Sequence, residues 1–183
     1  MIGGAERGRR LRAPRGLRTR PTADRVREAL FDILGPAIRG KRVLDLFAGT
    51  GAVGIEALSR GAARAVFVER DREALRALRA NLAALGLDRA RARVVAGNAL
   101  AALRALARSE GPFDLVFVDP PYAGDLAARA VAALAGGTLL AAGARVVVQH
   151  STKAALPASA GALRADETRR FGESALTFFR AEG

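Results

Sequence analysis

Residues 43–54 have the sequence VLDLFAGTGAVG, a short apolar run that leads directly into a glycine-rich turn. The glycines at 49, 51 and 54 have the spacing Gly-x-Gly-x-x-Gly, which lets a backbone turn tightly after a strand and approach a ligand at the start of a helix. Glu69 ends the next apolar run, where a carboxylate accepts hydrogen bonds from the two hydroxyls of a ribose. The pattern predicts the first unit of an α/β domain that binds a nucleotide-like cofactor.

Apolar strands and helical stretches alternate outward from this turn. Strands are predicted at residues 43–47, 65–68, 93–96, 113–118 and 144–148, with helices of about ten to fifteen residues between them. An amphipathic helix capped by Thr22 precedes the first strand, and Asp71 caps the helix after the second. Residues 163–170 and 175–180 are predicted to form a hairpin around Gly172. The fold class is therefore α/β, with a mostly parallel seven-stranded sheet, helices on both faces and a C-terminal antiparallel hairpin.

The amino-acid composition excludes several kinds of catalytic and metal site. The chain has 183 residues, half of them hydrophobic, with no cysteine and one histidine, His150. These counts exclude disulfides, cysteine-ligated zinc and a thiolate nucleophile, and they leave a Ser-His triad almost nothing to build on. No apolar run reaches the ~20 residues that cross a bilayer, and residues 1–10 lack the apolar stretch of a secretory signal. We expect a soluble, cytoplasmic, monomeric protein with one domain over residues 21–183 and no metal.

Positive charge is concentrated at the N-terminus. The net charge is +12, and residues 1–20, here called the basic arm, hold seven arginines and one glutamate. Arginine grips phosphate bidentately, so a polyanionic partner is the natural inference. The alternatives are an arginine-rich coding bias in a solvated tail and, less well matched, a mitochondrial presequence. The candidate RNA-binding residues are Arg7, Arg9, Arg10, Arg12, Arg20 and Arg25.

The glycine turn alone fits a nicotinamide cofactor as well as S-adenosylmethionine (SAM). Asp45, at the end of the first strand, suits the cationic methionyl amine of SAM and would repel a pyrophosphate. Asn98 and Ala99, after the third strand, form a small polar pair that suits the edge and face of an adenine. We therefore favour SAM, with these candidate cofactor-binding residues: Asp45, Phe47, Ala48, Gly49, Thr50, Gly51, Glu69, Arg70, Asn98, Ala99 and Asp119.

A second motif, Asp119-Pro120-Pro121-Tyr122, ends the fourth strand. The carboxyl ends of parallel strands line the ligand crevice of an open α/β sheet. Consecutive prolines donate no N–H and stiffen the backbone, so Asp119 and the Pro120 carbonyl form two fixed acceptors beside an aromatic ring. Two acceptors and a stacking surface match the exocyclic amino group of a flat base. We predict that Asp119, Pro120, Pro121 and Tyr122 carry the catalysis.

With these motifs together, the sequence resembles the class I SAM-dependent methyltransferases, which have a Rossmann-like fold and act on amino nitrogens. The segments 2–4, 7–11, 20–22, 24–28, 44–51 and 116–122 are similar to the bacterial 16S ribosomal RNA guanine-N2 methyltransferases, and the likeness covers nearly the whole chain. The resemblance implies transfer of the SAM methyl to N2 of one guanine in 16S rRNA, within the small ribosomal subunit or an assembly intermediate. The chain departs from the pattern after the fifth strand, where Gln149-His150-Ser151 stands in place of acidic residues, and in a shorter final hairpin.

The sequence leaves four other functional hypotheses open. An N6-adenine methyltransferase acting on DNA or RNA shares the Pro-Pro-aromatic motif but usually needs a separate target-recognition region. A protein-glutamine methyltransferase prefers Asn in place of Asp119. A nicotinamide-dependent oxidoreductase leaves the second motif unexplained, and a non-catalytic RNA-binding module explains only the basic arm. His150 is expected to serve the structure rather than the substrate.

Overall fold

The computed structural model describes residues 1, 3–9, 11–13, 21–121 and 124–182, and for residues 21–23 the backbone alone. Its helices are α1 (Pro21–Leu34), α2 (Ala52–Ser59), α3 (Arg72–Ala84), α4 (Ala99–Ser109) and α5 (Leu126–Ala135), with a 3₁₀ turn at Gly35–Ile38. Its strands are β1 (Arg42–Asp45), β2 (Arg64–Glu69), β3 (Ala92–Ala96), β4 (Phe113–Val118), β5 (Leu140–Ser151), β6 (Ser159–Ala160), β7 (Leu163–Phe171) and β8 (Ser174–Ala181).

All the described strands lie in one mixed sheet with the order β3-β2-β1-β4-β5-β8-β7-β6. The first five strands of that order pair in parallel, and β8, β7 and β6 continue the sheet antiparallel. The chain moves outward from β1 to β3, then returns to the other side of β1 with β4. The order therefore reverses between β1 and β4, and ligands bind open α/β sheets at such a reversal.

Alternation along each strand divides the core between the two faces of the sheet. In β1, Val43 packs with α1, α2 and α3, whereas Leu44 packs with α4 and α5 on the opposite face. Successive strand residues point to opposite faces, so one apolar run supplies both layers. The predicted α/β architecture with helices on both faces is confirmed.

The structure corrects several details of the prediction. The sheet has eight strands rather than seven, because β6 pairs with β7 across the turn at Gly161. Helix α1 begins at Pro21, a residue well suited to the first helical turn, rather than after a Thr22 cap. Strand β5 runs from Leu140 to Ser151, beyond the predicted 144–148 at both ends, because Leu140 pairs with Phe113 of β4 and Ser151 pairs with Ser174 of β8. The hairpin around Gly172 is confirmed as β7 and β8.

Among the described residues, no helix is both long enough and apolar enough to span a bilayer.

Candidate functional site

A cavity of about 850 Å³ lies at the carboxyl ends of the parallel strands. Its walls include seven of the candidate cofactor-binding residues: Phe47, Gly49, Glu69, Arg70, Asn98, Ala99 and Asp119. Pro120 and Pro121 also line it. The two motifs, which lie far apart in the chain, therefore meet in one cavity, because β1 and β4 are neighbours in the sheet.

The glycine turn has the backbone geometry that its sequence predicts. Gly51 has φ +82° and directly precedes α2, and its N–H donates to the carbonyl of Ala48 at 2.7 Å. A Cβ at Gly54 would lie 2.3 Å from Cε1 of Phe67, so only glycine lets α2 pack this closely on β2. Ala48, Thr50 and Gly51 support the turn but do not line the cavity.

Glu69 holds the glycine turn and faces the cavity at the same time. Its Oε2 accepts the N–H of Gly49 at 2.7 Å, and its Oε1 accepts the N–H groups of Arg70 and Asp71 at 2.7 and 2.8 Å. A carboxylate offers about four lone-pair sites, so these three bonds leave acceptor capacity for a ligand hydroxyl. The carboxylate is thus already oriented before any ligand arrives.

Asp45 lies beneath the glycine turn and does not line the cavity. Its side chain is 2% exposed, and its Oδ2 accepts the N–H of Gly54 at 3.0 Å. Burial raises the pKa of Asp45 to about 7; the Gly54 bond opposes this and the charge of Glu69 adds to it. Direct contact between Asp45 and a cofactor amine stays a prediction.

Asp119 follows the last residue of β4 and lines the cavity. Burial raises the pKa of Asp119 to about 7, with a further contribution from the negative charge of Asp45. No ion pair in the described ranges involves either aspartate. A cation entering this cavity would stabilise both carboxylates in the charged form. SAM carries a positively charged sulfonium and an ammonium group, so the two carboxylates fit this cofactor.

Asn98 has a structural task that the sequence analysis did not assign. Its Oδ1 caps α4 by accepting the N–H of Ala101 at 3.2 Å, while Asn98 also lines the cavity. The cap uses the oxygen, so the amide NH₂ remains suited to donate to a base edge. Tyr122 lies outside the described residues, and its stacking role stays a prediction.

One wall of the cavity was missed by sequence reasoning. It is built from the end of β5 and the β7–β8 turn, and its residues are Gln149, Ser151, Lys153, Phe171, Gly172, Glu173 and Ser174. Gly172 signalled the turn, but nothing local in the sequence indicates that the turn reaches the cavity. Val26 of α1 also lines it.

His150 does not line this cavity. It is 7% exposed, and its Nε2 lies 2.8 Å from Oγ1 of Thr177 on the neighbouring strand β8. The other ring nitrogen lies 2.9 Å from the carbonyl of Ser151. The side chain therefore connects strands within the sheet, as expected for a structural histidine.

The described part of the basic arm lies against the domain instead of standing free. The N–H of Gly3 donates to Glu56 at 2.7 Å, that of Glu6 to Ser59 at 2.8 Å, and that of Arg12 to Asn81 at 2.7 Å. These bonds use backbone N–H groups, and Arg9 adds a side-chain bond from its Nη1 to the carbonyl of Ala84 at 3.3 Å. Four of the RNA-binding candidates are exposed, namely Arg7, Arg9, Arg12 and Arg25, while Arg10 and Arg20 lie outside the described residues.

Comparison with known proteins places this site among methyltransferases. Residues 1–180 match the family model described as conserved hypothetical protein 95. The chain is 43% identical over 157 residues to the ribosomal RNA small subunit methyltransferase D of Escherichia coli, covering 86% of this chain and 77% of that protein. It is 38% identical to the protein of the same name from Haemophilus influenzae, with 81% and 77% covered. A solved Thermus thermophilus protein, titled hypothetical, superimposes with a TM-score of 0.82 at 40% identity, covering 100% of this chain and 98% of that one.

Proposed function

Because the chain belongs to the family described as conserved hypothetical protein 95, whose relatives include small-subunit rRNA methyltransferases, we propose that it transfers a methyl group from SAM to the exocyclic N2 of one guanine in 16S rRNA. The chain is a SAM-dependent RNA methyltransferase with a Rossmann-like class I fold. One observation carries the proposal: the glycine turn with Glu69 and the Asp119-Pro120-Pro121 segment line the same cavity. Its volume of about 850 Å³ falls in the range of small-molecule sites and accommodates a cofactor with an acceptor base beside it.

On the cofactor side, the carboxylate of Glu69 accepts the ribose hydroxyls, and Asn98 and Ala99 bound the adenine. Asp45, buried under the turn, supplies negative charge beneath the methionyl amine. When bound, SAM supplies an electrophilic methyl on a sulfonium, whose C–S bond breaks as the N–C bond forms. The protein's part is to hold that methyl in line with the incoming nitrogen.

On the acceptor side, Asp119 and the Pro120 carbonyl accept the two N–H bonds of the guanine amine. The amine lone pair is delocalised into the ring, and these two bonds draw the nitrogen toward a pyramidal geometry in which the lone pair faces the methyl. Orientation of this kind supplies up to about 7–11 kcal/mol of barrier reduction in well-aligned reactions. After transfer the nitrogen is cationic and loses one proton, either directly to water or first to Asp119, whose pKa is raised to about 7 and which then passes it to water.

Tyr122 stacks on the flipped base, a contact worth about 1–3 kcal/mol. The arginines of the basic arm grip RNA phosphates next to the site. Arg25, exposed on α1, directly precedes Val26, which lines the cavity, so positive charge lies near the cavity. We propose that the small subunit or an assembly intermediate presents the target, and that the enzyme acts as a monomer in the cytoplasm.

Methyl transfer from labelled SAM to small ribosomal subunits, taken from a strain that lacks this gene, tests the proposal. Digestion and mass spectrometry identify the product nucleoside, and N2-methylguanosine at one site is expected. N6-methyladenine, or label only on DNA, would keep the catalytic chemistry and overturn the ribosomal guanine. No label with SAM bound would overturn the acceptor altogether.

Two variants of the same strand region provide the internal control. Asp119→Ala is expected to abolish transfer, whereas SAM binding, measured by calorimetry, is largely retained because Glu69 and Asn98 still line the cavity and Asp45 keeps its charge. Asp114→Asn, at the opposite end of β4, keeps one of the two acceptor oxygens that serve Lys41 and the Arg42 N–H, and it is expected to leave transfer unchanged. Near-normal turnover by Asp119→Ala would contradict the proposed mechanism.

A further inference from the structure

Asn81 joins the basic arm to the glycine turn. It lies on α3, is 3% exposed, and uses its whole amide: Oδ1 accepts the N–H of Arg12 at 2.7 Å, and Nδ2 donates to the carbonyls of Arg12 at 3.1 Å and of Thr50 at 3.0 Å. An amide nitrogen has two hydrogens, so both are occupied. One buried side chain therefore holds a residue of the arm and a residue of the turn at once.

Thr50, which accepts a hydrogen bond from Asn81, is next in the chain to a residue that lines the cavity. Thr50 follows Gly49, whose N–H donates to Glu69 at 2.7 Å, and both Gly49 and Glu69 line the cavity. The turn is thus held from behind by Asn81 and from the cavity side by Glu69. A change in the position or mobility of the Arg12 backbone has a direct hydrogen-bonded route to the carboxylate assigned to the ribose.

The other anchors of the arm do not touch the turn. Ser59 accepts the N–H of Glu6 at 2.8 Å and donates to the carbonyl of Gly3 at 2.9 Å, and Glu56 accepts the N–H of Gly3 at 2.7 Å. These bonds fix the first residues of the arm on α2. Of the anchors described, Asn81 alone bonds both to the arm and to the cofactor turn, and this contrast separates docking of the arm from any effect on the cofactor.

We propose that Asn81 is a positioning residue that couples RNA binding by the basic arm to cofactor binding at the glycine turn. The inference rests on the proposed function, since it needs the arm to bind RNA and the turn to bind SAM. RNA that immobilises the arm through its other arginines, such as Arg7 and Arg9, fixes the Arg12 backbone and with it the Asn81 amide, and the amide then holds the Thr50 carbonyl. A turn that is already ordered binds the cofactor at a lower entropic cost. By linkage, the cofactor tightens RNA binding by the same factor.

Two substitutions at Arg12 form a matched pair. Arg12→Ala and Arg12→Pro both remove the exposed guanidinium, but only proline removes the N–H that donates to Asn81. The measured quantity is the ratio of the dissociation constants for labelled S-adenosylhomocysteine without and with saturating small ribosomal subunits, obtained by equilibrium dialysis. We expect a ratio of about fivefold for the wild type, at the low end of usual coupling, and the same for Arg12→Ala. For Arg12→Pro we expect a ratio near one.

A second pair acts from the domain side. Asn81→Asp keeps an acceptor for the Arg12 N–H but places an oxygen against two carbonyls, so it breaks the bonds to Thr50 and to the Arg12 carbonyl. Ser59→Ala loosens the arm without touching the turn. We expect Asn81→Asp to raise the KM for SAM with kcat little changed and to abolish the coupling ratio, whereas Ser59→Ala keeps both at the wild-type value.

The outcomes separate the inference from the function on which it rests. If the wild type fails to methylate the subunits, the proposed function fails and the coupling with it. If the wild type methylates them but Arg12→Pro and Arg12→Ala show the same ratio, the coupling is refuted and the function stands. Equal changes in KM and kcat in Asn81→Asp, with an unchanged ratio, would reduce Asn81 to a residue that only stabilises the fold.

Discussion

Replacing Asp45 by asparagine should make the protein more stable and less able to bind its cofactor. Asp45 is 2% exposed, and burial raises its pKa from the usual 3.8 to about 7. Asparagine keeps an oxygen to accept the Gly54 N–H at the same place and removes the charge. At neutral pH the native protein therefore holds a carboxyl group whose ionisation costs stability, and we propose that the positive charge of the cofactor offsets that cost.

The sign and size of the effect follow from the pKa difference. Below pH 4 the carboxyl is neutral in both the folded and the unfolded state, so the stability it contributes is fully present. Between pH 4 and 7 only the unfolded state is ionised, and the folded state loses stability as the pH rises. Each pH unit corresponds to about 1.4 kcal/mol, so the penalty reaches at most about 4 kcal/mol above pH 7.

Urea unfolding at pH 5 and pH 8 measures this difference. Asp45→Asn is expected to add at most about 4 kcal/mol to the unfolding free energy at pH 8 and less than half of that at pH 5. Asp88→Asn, which removes a carboxylate at an exposed position, is the matched control. Calorimetry should show weakened SAM binding for Asp45→Asn alone. A variant less stable than the wild type at pH 8, or a difference independent of pH, would refute the reasoning.

Three further predictions follow from the same geometry. Gly54→Ala places a Cβ 2.3 Å from Phe67 and should lower the unfolding free energy, measured in urea, by about 1–3 kcal/mol. In the control Gly136→Ala the atom nearest to the new Cβ is 3.6 Å away, so the loss of stability should be far smaller. Equal losses in the two variants would contradict the packing argument. The rate constant kcat/KM should fall about tenfold per pH unit below pH 7, because Asp119 must be ionised to accept one amine hydrogen while the Pro120 carbonyl accepts the other. A flat profile from pH 5 to 8 would exclude that role. Arg7→Ala should weaken binding to small subunits and lower the salt dependence by nearly one charge without altering SAM affinity, and an unchanged salt slope would remove Arg7 from the RNA contacts.

Most of the secondary structure of this protein is determined by local sequence and could be predicted from it. Apolar runs of strand length, the glycine spacing at 49–54 and the Asp119-Pro120 stop at the end of β4 each depend on neighbouring residues. The rule that carboxyl ends of parallel strands share one edge then brings Glu69 and Asp119 to one cavity without further information. The resemblance to methyltransferases rests on these same short segments.

Other features were decided only by the tertiary structure, because they depend on contacts between distant segments. The extension of β5 to Ser151 follows from pairing with β8, and that pairing carries the β7–β8 turn to the cavity wall. The raised pKa of Asp45 needs the burial that the assembled layers produce. From its sequence the basic arm looks like a free tail, because it is held mainly by backbone N–H groups, which every residue except proline has. Only the folded chain places the Asn81 amide between Arg12 and Thr50.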